Sequence, residues 1–121
     1  MGGKVFVAAL FSVGIAHADL KIETKQQLDI NNSLLSELET QKQAAAQAYS
    51  EIFELAESAV INRQEQVKRL KEANQTWDEF ALKICRAEAL ESIGTRAEHT
   101  NNLKCLIKKY KDKQDFFYSL I

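Results

Sequence analysis

Beyond residue 18 this chain contains no proline and a single glycine, Gly94. A sheet protein of about 100 residues needs many tight turns, and tight turns draw on glycine and proline. A chain so short of both has few places to reverse direction. Its abundant Ala, Leu, Glu, Gln and Lys are good helix formers. The expected fold is therefore all-α: a small bundle of about three long helices.

Three helical segments are expected. The first runs from about Thr24 to Ile61. Thr24 and Gln27 form a capping box. Leu28, Leu35, Leu38, Ala45, Tyr49, Ile52, Ala56 and Ala59 recur at threes, fours and sevens and mark one apolar face. The second runs from about Arg63 to Glu91, with Asn62 and Glu65 as its start signal. No glycine marks that boundary, so one helix continuing through it is the alternative. Val67, Leu70, Asn74, Trp77, Ala81 and Ile84 follow alternating steps of three and four along one seam, which Phe80 widens; Leu70, Trp77, Phe80 and Ile84 are the expected core anchors of this segment. The third begins after Gly94. A glycine can end a helix in a left-handed cap, and Thr95 with Glu98 supplies another capping box. Gly94, Thr95 and Glu98 thus read as a hairpin turn, and Leu103, Leu106, Ile107, Tyr110, Phe117 and Leu120 as the buried face beyond it.

The N-terminal segment reads as an address. Lys4 precedes an apolar run from Val5 to Ala16, followed by Ala16-His17-Ala18. That is the pattern of a secretory signal peptide with small residues at the two cleavage positions. The run is too short to span a bilayer, which takes about 20 apolar residues. Cleavage after Ala18 is expected to leave one domain, residues 19–121, without a stable membrane anchor. Localisation is then periplasmic or secreted, where cysteines meet an oxidising environment.

Two cysteines follow from that setting. Cys85 lies nine residues before Gly94 and Cys105 eleven after it. At 1.5 Å per residue, both sit about 14–16 Å from the bend of a helical hairpin. They should face each other and form a disulfide that clamps the hairpin. The spacing is not Cys-x-x-Cys, and His99, the only histidine after residue 18, cannot complete a usual zinc set.

The full chain carries a net charge of −1, and loss of Lys4 makes the domain −2. That balance argues against nucleic acid as a partner. The charge is uneven: residues 19–66 carry −5 and residues 67–121 carry +3. Pairing between antiparallel helices is one reading of that split. The other is an acidic face for a basic protein partner, with Glu37, Glu39, Glu51, Glu54 and Glu57 as its candidate residues. Catalytic patterns are missing. There is no phosphate-binding glycine loop and no triad. Glu88 and Glu91, three apart on one helix, read as a solvated face. So does the cluster of Lys104, Lys108, Lys109, Lys111 and Lys113. No cofactor is expected, and the chain reads as a non-enzyme.

Leu70, Ala73, Trp77, Phe80, Cys85, Glu88, Gly94, Cys105 and Leu106 fall in a recognisable order. Over about residues 67–110 the chain resembles the LprI-like family, small exported bacterial domains named after a lysozyme inhibitor. The spacing from Trp77 to Cys85 is the family's, whereas Asn74 and Ala81 depart from its Gln and Arg. The resemblance implies a non-enzymatic exported binding protein, with lysozyme as the candidate partner. The competing expectation is a structural or assembly module of the cell envelope or of a secreted complex, binding partner helices through apolar faces.

Overall fold

In the computed structural model the backbone is described from Gly2 to Ile121 and the side chains from Thr24. The cleavage residues Ala16 and Ala18 lie outside the residues whose side chains are described. The elements are α1 (Gly2–Glu57), α2 (Arg63–Glu88), a short 3-10 turn (Leu90–Ser92) and α3 (Ala97–Tyr118). No strand occurs among the described residues, and none of their helices is long and apolar enough to cross a membrane. The chain divides into two compact units, residues 1–32 and 33–121. In the first, Gln27 donates a side-chain hydrogen bond to Asn31 one turn on, at 3.2 Å. The three-helix packing lies in the second.

Helix α1 stops at Glu57, four residues before the expected end at Ile61. The boundary at Asn62 is real and is made without glycine. Asn62 adopts φ 59°, ψ 29°, the left-handed region that Asn tolerates better than other side-chain-bearing residues. Its carbonyl accepts the first bond of α2 from the Gln66 N–H at 2.9 Å. The Gln66 amide donates back to the Ile61 carbonyl at 3.0 Å. Asn62 makes no side-chain cap bond; its contribution is conformational.

The hairpin turn lies at Gly94, which takes φ 76°. The expected capping box is rearranged. Glu98 reaches back one residue further than a box requires and accepts from the Gly94 N–H at 2.8 Å. The Thr95 hydroxyl donates to the Ser92 carbonyl at 2.7 Å instead of capping α3. The 3-10 turn shortens α2 and moves the helix start to Ala97.

Two buried clusters hold the bundle. One joins Leu38 and Ala45 of α1, Ala81 and Cys85 of α2, and Leu103, Leu106, Ile107 and Tyr110 of α3. The other joins Ala48 and Ile52 to Phe117. Cys85 and Cys105 form the expected disulfide across the hairpin, with Cα atoms 5.5 Å apart. Alanine at 45, 48 and 81 lets the helices approach closely, as the Ala-rich stretch of α1 foretells.

The expected anchors of α2 divide. Trp77 and Leu70 are half-buried and pack against the two clusters. Ile84 is also half-buried. Phe80 is a correction: it is 46% exposed. It lies about 100° round the helix from Ala81, beyond the stripe that α1 and α3 cover. Leu28, Leu35 and Leu120, expected on buried faces, are exposed too.

Aromatic rings link all three helices. Phe53 meets Tyr49 at 5.7 Å between centroids, Tyr49 meets Phe117 at 5.2 Å, and Phe117 meets Phe116 at 5.2 Å. Phe116 stacks on Trp77 at 5.5 Å, and the edge of Phe80 adjoins Trp77 at 6.4 Å. The Trp77 indole N–H donates to the Lys109 carbonyl at 3.1 Å, tying α2 to α3.

Candidate functional site

A charge cluster with a buried ammonium and a half-exposed carboxylate locks α2 to α3. Lys113 is only 4% exposed, and its ammonium donates to Asp78 Oδ1 at 2.9 Å. The Tyr110 hydroxyl donates to the same oxygen at 3.1 Å. The ammonium groups of Lys42 and Lys113 each lie 5.6 Å from the centre of the Tyr110 ring. Lys113 therefore belongs to the interior and not to the solvated lysine face. An uncompensated ammonium in this position would be costly, and Asp78 supplies the countercharge. The partners lie 32 and 35 residues apart, so no local pattern announces them.

Burial, then the charge of Asp78 and its hydrogen bond, push the Tyr110 hydroxyl up to about 12. A phenol whose folded value exceeds its unfolded value of 10.0 binds its proton more tightly when folded. Its stabilising effect is complete below pH 10 and lost as pH rises through about 12. Denaturation midpoints should fall across this alkaline window, and Tyr110→Phe should flatten the fall. An equal slope in the variant would assign the loss to other groups.

Three surfaces remain as candidate sites. The first is the acidic side of α1. Glu37, Glu39, Glu51, Glu54 and Glu57 are all exposed. Among the described residues the one ion pair joining α1 to the other helices is Lys111–Glu37 at 3.7 Å. The pairing of acidic and basic halves is therefore slight. Glu54 lies about 200° round the helix from both Ile52 and Ala56, on the side away from the core. Glu51 accepts from the Gln47 amide at 3.1 Å and bonds to Tyr118, whose hydroxyl is held above its usual range. The five acids thus wrap an exposed arc of α1 and do not converge on one point.

The second surface is a shallow hollow of about 280 Å³ beside the hairpin turn. Arg86, Thr95, Glu98, His99 and Asn102 line it. His99 is exposed. Glu98 is engaged in holding the turn, and no nucleophile or paired acid and base converges there. Glu88 is occupied with Lys109 at 4.0 Å. No group of three or more His, Cys, Asp or Glu is placed to hold a metal among the described residues.

The third surface escaped the sequence reading. It is an apolar groove of about 290 Å³ where the end of α1 meets the start of α2, lined by Ile52, Leu55, Ala56, Arg69, Leu70 and Leu120. Its signal in the sequence is Leu55, which falls outside the buried stripe, together with Ala59-Val60-Ile61 beside a chain reversal. Apolar residues there are not needed for the turn, and Val60 and Ile61 stand exposed.

No family model, curated protein or solved structure matches this chain.

Proposed function

We propose that the chain is an exported, non-enzymatic binding protein that meets a basic protein partner with the acidic side of α1. A lysozyme is the partner that the resemblance to the LprI-like family suggests. The observation that carries this reading is the charge left over: among the described residues Glu39, Glu54 and Glu57 form no ion pair, and they face solvent. Charges of one sign on an open face speed the approach of an oppositely charged protein. The signal-peptide pattern and the disulfide support an exported setting.

The purified domain should slow the clearing of a cell-wall suspension by lysozyme. Inhibition should weaken with salt as the screening length falls from ~10 Å at 0.1 M to ~3 Å at 1 M. Converting Glu37, Glu39, Glu54 and Glu57 to Gln together should slow association more than it speeds dissociation. If no lysozyme type is slowed at micromolar protein, the inhibitor reading fails. The apolar groove favours the second reading, an assembly module, in that event. Exposed Leu35 and Leu55 on α1 are the kind of surface that partner helices cover.

A further inference from the structure

We propose that Asn31 is the attachment point of an N-linked oligosaccharide. An asparagine followed by any residue but proline and then by Ser or Thr is the acceptor pattern for this modification. The chain has six asparagines, and two of them fit: Asn31-Asn32-Ser33 and Asn74-Gln75-Thr76. In the bacterial form of the reaction the transferase also reads an acid two residues before the asparagine. Asp29 and Glu72 stand at those positions. The other four, Asn32, Asn62, Asn101 and Asn102, have neither a Ser or Thr two residues on nor an acid two residues before. The acid therefore accompanies the hydroxyl at both acceptor patterns and at no other asparagine. In the reaction the side-chain nitrogen attacks the anomeric carbon of a sugar held on a polyprenyl diphosphate. A C–N bond forms, the bond from that carbon to the diphosphate oxygen breaks, the amide gives up one proton and the lipid diphosphate leaves. Such donors are used on the exported side of the membrane, so the modification depends on the exported setting proposed above.

The fold separates the two patterns. A transferase grips its acceptor in an extended form, so a helical pattern must open locally first. Around Asn31 that opening costs little. None of the described residues from Thr24 to Glu37 is buried, and Asn-Asn-Ser is a run of weak helix formers. Segments with few buried contacts open well below the free energy of global unfolding. Asp29, Asn32 and Ser33 are exposed and Asn31 is half-buried. The Asn31 amide oxygen accepts from Gln27, and the amide nitrogen is the atom that carries the sugar. Asn74 is placed differently. It lies about 20° round α2 from the fully buried Ala81, on the side that the other helices cover. Trp77, one turn on, is tied to α3 through the Lys109 carbonyl, and Asp78 is tied to it through Lys113. Opening α2 around Asn74 strains both ties. The folded chain therefore offers Asn31 and withholds Asn74.

The purified full chain, incubated with a bacterial oligosaccharyltransferase and its lipid-linked oligosaccharide, tests the acceptor separately from export. Intact mass should rise by one oligosaccharide, and peptide mapping should place it on Asn31 and leave Asn74 bare. Asn31→Gln, Ser33→Ala and Asp29→Asn should each abolish the gain while the circular dichroism stays helical. Asn74→Gln should keep it. A peptide of residues 70–80 should accept the sugar at Asn74, because no fold covers it there. In the cells that make the protein, the exported form should start at Asp19 and carry the added mass on Asn31. Retention of Met1 there would sink the exported reading, whereas a bare Asn31 in the purified reaction would overturn this proposal whatever the N-terminus. A bare Asn31 in exported protein that starts at Asp19 would overturn it too, as would a glycan on Asn74 of the folded chain.

Discussion

Phe117→Ala should cost about 3–5 kcal/mol of folding stability. Phe117 is fully buried and is the largest such side chain among the described residues. Its cluster partners Ala48 and Ile52 cannot swing in to fill the space. Alanine has no rotamer to change, and the β-branched Ile52 is stiff. Tyr49 and Leu70, packed beside the cluster, are the side chains with freedom to lean in, and the cavity volume left after they do so sets where in that range the cost falls. The change also cuts the line of rings between Tyr49 and Phe116, and such ring pairs contribute about 0.5–1.5 kcal/mol each beyond their area. Denaturant unfolding followed by helix signal measures the loss. A cost below about 1.5 kcal/mol would mean that the end of the bundle closes over the gap.

Removing the disulfide should cost about 3 kcal/mol. The bond closes a loop with a sequence separation of 20 between Cys85 and Cys105. Cross-linking acts mainly by limiting the unfolded chain, and a loop of this length sits in the middle of the usual range. Cys85→Ala/Cys105→Ala should therefore lower the melting temperature by roughly 10–20 °C for a domain of this size. The fold should survive at low temperature, because Leu103, Leu106 and Ile107 still pack against Ala81 and Leu38. Denaturation with and without reductant should reproduce the same difference in the unsubstituted protein. Identical midpoints would show that the unfolded state is already confined by other contacts.

The architecture was legible because it depends on local and periodic signals. Gly94 marked the hairpin, and the similar distances of nine and eleven residues from it placed Cys85 opposite Cys105. The α1–α2 boundary was harder to read, since it rests on one Asn in a conformation more often filled by glycine. Burial was legible on α3, where Leu103, Leu106, Ile107, Tyr110 and Phe117 are all buried as expected. It was less so on α2, where Phe80, expected to widen the seam, lies off its covered side. Periodicity finds an apolar stripe, whereas the neighbouring helices decide how wide a stripe they cover. Asp78 with Lys113 was out of reach for a different reason: no short-range pattern links residues 35 apart. The apolar groove was hidden because its walls belong to separate helices, and only their packing brings Leu55 beside Leu70.

The placement of the disulfide has a consequence for how the molecule breathes. The covalent tie lies in the half of the hairpin nearer the Gly94 turn, whereas Ala48, Ile52 and Phe117 close the other end with no cross-link. Phe117 is held to α1 only by contacts between residues far apart in sequence, so opening that end regains chain entropy unopposed by any bond. Partial opening of such a bundle begins at its least tethered end. Fluctuations would therefore first loosen the region that carries the groove, and the cystine end would open last. Whatever covers Leu55 and Leu120 would close that loose end as well as occupy it, so association and stability are thermodynamically linked at this surface.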